Sequence, residues 1–258
     1  MRLSNPDPPL AYSEGAPMTR VLKSLSIALL AAAPVWASAQ LTGNVSLTTN
    51  YKFRGQDQDT SKVKAVKPAI QGGFDYTFGE SGFYLGNWNS SVDWLPGNSI
   101  EMDFYGGYKF KAGGMDLDVG ALTYVYPGNT TGNTTELYGA ATYGPVTAKY
   151  SHTVSKDYFR WAGAKTSSSR GRNTGYLNVA FAREVAPGTT FKAAVGYTRF
   201  AGDIKDLGVP NYVDYSVGGA YDFGSGLSLS AAVAGANKKN FFGPVNKNRL
   251  IVTLTKTL

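Results

Sequence analysis

The chain has 258 residues, 43% of them hydrophobic and 17% charged, which allows one or two domains and excludes long disorder. It has no cysteine, which excludes a disulfide framework and a Cys-based metal site. Its net charge of +7 comes from scattered basic residues rather than one basic helical face, so no nucleic acid is expected as a partner.

The first element is an address. Residues 18–40 read M-T-R-V-L-K-S-L-S-I-A-L-L-A-A-A-P-V-W-A-S-A-Q. Arg20 and Lys23 form a basic start, Leu25 to Ala33 a short apolar core, and Ala37-Ser38-Ala39 a small-x-small cleavage site. That core is too short for a helix of about 20 residues across a bilayer. Residues 18–39 are therefore expected to be a cleaved Sec signal, with residues 40–258 as the mature domain. Residues 1–17 do not fit a signal and read as a mis-called start or a disordered extension.

From Leu41 onward, alternation of apolar and polar residues replaces helical periodicity. Twelve strands are expected, over 41–54, 67–78, 82–94, 99–110, 114–126, 134–143, 145–155, 173–183, 189–200, 211–223, 226–236 and 248–258. Connections alternate. G-E-S, K-A-G, G, E-V-A-P-G and G-S are short; most others are long. The 31 glycines suit tight turns. The expected fold is all-β, an antiparallel up-and-down transmembrane β-barrel of about twelve strands, in a bacterial outer membrane.

The strand Y-L-G-N-W-N-S-S-V-D-W, residues 84–94, has an aromatic-rich face and a polar face. In a barrel with a wet lumen, Trp88 and Trp94 should face lipid, and Asn87, Asn89, Ser91 and Asp93 the lumen. Strands 99–110 and 114–126 repeat the pattern, with Glu101, Asp103 and Lys109, then Asp116 and Asp118, on the polar side. Phe78, Tyr84, Phe110, Tyr143, Phe191 and Phe223 are expected as one aromatic girdle, with Trp94, Tyr51 and Phe53 as the other. The last strand, R-L-I-V-T-L-T-K-T-L, resembles the C-terminal signal that barrel-assembly machinery reads, although Leu258 stands where an aromatic is usual.

Lys52 and Arg54 are expected at the outer end of the first strand, facing a wall that carries Asp93, Glu101, Asp103, Glu136 and Asp214. Two arrangements follow: a transverse field that filters solutes, or ion pairs that brace a narrow tube. Lys149 is a further lumen candidate. The loop K-D-Y-F-R-W-A-G-A-K-T-S-S-S-R-G-R, residues 156–172, could enter the lumen, bind lipopolysaccharide phosphates, or stay a solvated surface loop. Asp57 and Asp59 lack the Gly and distal Glu of a calcium loop and read as solvated.

Catalysis has little to work with. The only histidine, His152, lies on the apolar side of its strand, and His-Thr-Val-Ser departs from the His-x-Ser-Asn pattern of outer-membrane phospholipases. One histidine also excludes a multi-His zinc site, and no phosphate-binding motif occurs. No enzyme activity, metal or cofactor is expected.

Six segments in order, T-T-N-Y-K-F-R-G, K-P-A-I-Q-G-G-F-D-Y, G-F-Y-L-G-N-W-N-S-S-V-D-W, S-I-E-M-D-F-Y-G-G-Y, L-D-V-G-A-L-T-Y-V-Y-P-G and T-E-L-Y-G-A, resemble the TorF-like porin family of proteobacterial outer membranes (Gcw_chp). The resemblance implies an outer-membrane barrel with a porin role. The expected function is passive diffusion of small hydrophilic solutes. The alternatives are a non-conducting structural or adhesive barrel and, more weakly, a lipid hydrolase. Expected partners are outer-membrane lipid and lipopolysaccharide, the assembly machinery and small solutes.

Overall fold

The computed structural model describes residues 40–60, 66–162 and 168–258. The expected signal and the extension before it lie outside the described residues. The strands are β1 (Gln40–Thr48), β2 (Lys52–Phe53), β3 (Gln56–Asp57), β4 (Ala69–Thr77), β5 (Phe83–Ser91), β6 (Ile100–Ala112) and β7 (Met115–Val125). They continue as β8 (Thr134–Tyr143), β9 (Val146–Thr153), β10 (Gly175–Ala186), β11 (Thr189–Arg199), β12 (Tyr212–Gly224), β13 (Leu227–Ala236) and β14 (Arg249–Thr257). Two short helices, α1 (Gly202–Asp206) and α2 (Lys239–Phe242), sit in the long loops.

Twelve of these strands form one closed antiparallel barrel, in which β1 meets β14 with Asn44 opposite Thr257 and Thr48 opposite Thr253. Closure pairs every strand on both sides, so no open edge remains. All tight turns lie at one end, and the long loops lie at the other. β2 and β3 stand apart as a two-stranded hairpin.

On most strands the alternation reads as expected. In β6, Glu101 and Asp103 are buried in the bore while Phe104, Tyr108 and Phe110 are exposed on the outer face. Phe78, Tyr143, Phe191 and Phe223 are likewise exposed near the tight-turn end. At the long-loop end the exposed rings include Tyr150, Tyr197 and Tyr215. Tyr51, Phe53 and Trp94, expected there, point elsewhere.

β5 has the opposite facing from that expected. Trp88 packs inward, its ring 5.5 Å from Tyr51. Tyr84 is 4% exposed and donates at 2.7 Å to Asp118, two strands along the wall on β7, so it belongs to no outer girdle. It lies flat on the neighbouring strand because position 107 is glycine; a Cβ there would sit 2.6 Å from the Tyr84 hydroxyl. Asn87 and Asn89 take the outer side. Their amides bond each other at 2.6 Å and the backbone carbonyls of Asp103 and Gly72 at 3.0 and 3.3 Å. Asp93 lies beyond the end of β5, exposed at the rim. Trp94 folds over the mouth with its ring 5.1 Å from Tyr126. At Trp88 the inward facing follows from the filling: the bore there holds the Tyr51 ring, so its lining is apolar.

That facing has a measurable consequence. Trp88→Ala should cost about 3 kcal/mol in denaturant unfolding, because it leaves a cavity in a packed site. Asn89→Leu should cost less than about 1 kcal/mol, as an outward-facing, half-buried substitution that loses weak amide bonds. The reverse order would place Trp88 outside.

Candidate functional site: a hairpin across the bore

The first strand does not run to Arg54. It ends at Thr48, and the chain leaves the wall and turns back through Lys52–Asp57. The turn is formed by Arg54 at φ 46 and Gly55 at φ 75. Two consecutive positive φ values give the two-residue turn whose twist suits a tight hairpin. Gly55 is needed twice. A side chain at that φ is strained, and a Cβ would lie 2.5 Å from the Asp214 Cβ, 2.7 Å from the Gly235 carbonyl and 2.9 Å from the Ala236 Cβ. The tip therefore abuts β13 and β12, two and three strands along the wall from β1.

Each hairpin side chain meets a different part of the wall. Tyr51 donates to Glu101 on β6 at 2.8 Å, and Tyr126 donates to the other oxygen of that carboxylate at 2.5 Å. Burial, and then the Glu101 charge, push the Tyr51 phenol well above its usual range, so it remains a donor. Lys52 is buried against Asp57 at 2.9 Å and the Val245 carbonyl at 2.8 Å. Burial pushes its ammonium below the usual range, and Asp57 opposes that. Asp57 also takes two bonds from Arg249 on β14, at 3.1 and 2.9 Å. The stretch expected to be solvated thus carries a buried ion network.

Arg54 is the centre. Its guanidinium makes a forked pair with Glu136 on β8, at 3.0 and 2.6 Å, and donates to Tyr158 at 2.8 Å. It lies 4.2 Å from the Tyr176 ring centroid and 4.8 Å from that of Phe53. Both members of the ion pair are almost fully buried. A forked, charge-assisted pair in a buried site fixes orientation as well as position.

The loop after β9 completes the closure. Asp157 accepts from the backbone N–H groups of Tyr158 and Ala162, at 2.6 and 2.9 Å, and so winds the chain inward. Tyr158, Phe159 and Ala162 are buried; Arg170 and Arg172 remain exposed. Ring contacts then run across the bore without a break. Tyr124 on β7 meets Phe53 at 5.4 Å, Phe53 meets Phe159 at 5.3 Å, and Phe159 meets Tyr158 at 4.7 Å. Tyr158 meets Phe200 at 5.8 Å, and Phe200 meets Tyr212 on β12 at 6.0 Å.

Toward the tight-turn end the bore changes character. Its lining there includes Asp75, Lys109, Asp118, Lys149, Lys192, Ser216 and Ser230, each partly exposed. The Lys109 and Lys149 ammonium groups lie 4.5 and 3.9 Å from the ring centroids of Tyr84 and Tyr138. Asp116 pairs with Lys111 at the rim. Asp214, higher up, is buried and accepts from Tyr176 at 3.1 Å. The bore is thus filled at the loop end and polar with accessible side chains at the other.

Of the expected lumen residues, Glu101, Asp103, Lys109, Asp116, Asp118, Glu136, Lys149 and Asp214 stand on the bore side of their strands. Lys52 and Arg54 are in the bore, but on the hairpin. Asn87, Asn89 and Asp93 are not in it. His152 is on the outer face, bonded to Tyr150 and Asn173. Lys192, Tyr158, Tyr176 and Arg249 were not singled out by the sequence. The available signal was a loop rich in aromatics, D-Y-F-R-W, because such rings seldom stay in water.

A sequence profile described as a bacterial protein of unknown function (Gcw_chp) matches residues 32–258. The chain belongs to the Gcw_chp family. No functionally curated protein matches it. Among solved structures, this Gcw_chp barrel is similar to the KdgM porin, with a TM-score of 0.54 and 10% identity over 83% of this chain and 98% of that one. It is also similar to the NanC porin, with a TM-score of 0.52 and 9% identity over 84% and 98%. At such identities the likeness is one of fold.

Proposed function

We propose that this Gcw_chp barrel is an outer-membrane porin, TorF-like, for small hydrophilic solutes, and that its resting form is closed at the extracellular end by the hairpin of residues 51–58. The tight turns then face the periplasm and the long loops the exterior. The exposed aromatic rings at both ends of the barrel suit the two membrane interfaces. The observation that carries the reading is the uneven filling of the bore. A barrel with a purely structural role gains by packing its whole interior. Here the apolar filling is confined to the plug; toward the tight turns the bore side carries Asp75, Lys109, Asp118, Lys149 and Lys192, each partly exposed, beside buried Tyr84, Thr147 and Ser228. Nothing in that lining suggests a nucleophile and base, so a channel is favoured over a hydrolase.

A second reading, a permanently closed barrel, is favoured by the aromatic chain from Tyr124 to Tyr212. Planar-bilayer conductance separates the two. The wild type is compared with a chain in which residues 51–58 are replaced by a short Gly-Ser link. Discrete steps from the shortened chain support the porin. No steps from a folded, heat-modifiable shortened barrel would overturn it.

A further inference from the structure

We infer that the β12–β13 corner, at the long-loop end of the outer wall, binds the phosphorylated headgroup of an outer-leaflet lipid. The inference rests on the outer-membrane reading above. A concavity of about 460 Å³ is lined there by Tyr215, Asn237, Lys238, Lys239, Asn240 and Phe241.

Three features match such a lipid. The first is charge. The segment 237–248 reads N-K-K-N-F-F-G-P-V-N-K-N, with three lysines and no carboxylate. Among the described residues, none of the ion pairs engages Lys238, Lys239 or Lys247. An ammonium pair at headgroup height is a charge-assisted receptor for phosphate.

The second is construction. The Asn248 side-chain oxygen accepts from the Tyr215 hydroxyl at 2.8 Å and from the Lys239 ammonium at 3.1 Å. That bond holds Lys239 against the wall. Lys238 stands at φ 55, a left-handed conformation that a lysine rarely adopts. It opens α2, in which Phe241 points outward while Phe242 packs inward, 5.2 Å from Tyr212. The short helix is thus fixed to the plug on one side and presents a cation and a ring on the other.

The third is continuity with the apolar wall. Below Tyr215 the outer face continues as Val217, Val233 and Leu250, all exposed. A headgroup at Lys238 and Lys239 would leave its acyl chains along that strip. A free phosphate would use the lysines and gain nothing from the strip.

The test uses the full chain, expressed from its complete sequence, purified from outer membranes and examined by native mass spectrometry. Lipid A carrying both phosphates should be retained by the wild type, and at least tenfold less by K238N/K239Q. Asparagine is chosen at position 238 because it tolerates the left-handed backbone. K205Q, a change at α1 elsewhere on the same rim, should retain it as the wild type does. Equal retention by the wild type and K238N/K239Q would overturn the proposal. So would equal loss in K205Q, which would mean diffuse surface charge, and so would displacement by millimolar inorganic phosphate alone. Failure of the outer-membrane reading is separable, because it would appear as no folded, heat-modifiable barrel in that fraction.

Discussion

Arg54→Ala should turn a closed barrel into a leaky one. In liposome-swelling assays with small neutral sugars, the wild type should swell slowly and the variant markedly faster. The reason is the state of Glu136 once its partner is gone. The carboxylate is 1% exposed and loses both arms of a forked pair. Removing one member of a buried pair costs about 3–5 kcal/mol, because the other is left uncompensated. The Arg54 contact with Tyr176, worth about 0.5–2 kcal/mol, is lost as well. Thr153 and Tyr124 still reach Glu136, but only at 3.4 Å. The least costly relief is for the hairpin to leave and admit water. Arg54→Lys should fall between, because an ammonium keeps the charge and loses the fork. Swelling by Arg54→Ala no faster than by the wild type would mean that the pair braces the wall without holding a plug.

Gly55→Val should unseat the same hairpin by steric means, with every charge left in place. Valine at φ 75 costs about 1–2 kcal/mol or more in backbone strain. Its Cβ would also meet three wall atoms within 2.9 Å, and such overpacking adds about 1–3 kcal/mol. Gly208→Val supplies the control. Gly208 has a similar φ, 84, with no atom within 4 Å of where a Cβ would sit. Both variants should lose some stability, but only Gly55→Val should raise sugar flux. Equal flux from the two would remove the tip of the hairpin from the wall of β12 and β13.

The barrel itself was legible because alternation and turn chemistry are local. The strand expected over 134–143 has those bounds, and the short connections fall at one end of the barrel. Inside and outside were legible where the bore side of a strand carries charge, as in β6, whose Glu101 and Asp103 face inward. In β5 the same rule misled. Its apolar face is the one that meets the plug, and only the pairing of Trp88 with Asp103 on β6 reveals the side. That register is a long-range fact, absent from the strand's own residues. The ion pair of Arg54 with Glu136 spans 82 positions and depends on a loop that enters the bore. The residue types were recognised as charges that could meet across the lumen. The hairpin that carries one of them was not, since T-N-Y-K-F-R-G continues the alternation of β1 through the point where the chain leaves the wall.

Single-channel recording of the wild-type barrel in a planar bilayer, under a salt gradient, tests the closure most directly. A bore sealed by the hairpin predicts a silent baseline with brief, infrequent openings, and long-lived discrete steps once residues 51–58 are replaced by the Gly-Ser link. A wild-type barrel that conducts steadily, at the level of the shortened chain, would contradict it: the hairpin would then lie outside the path of the ions.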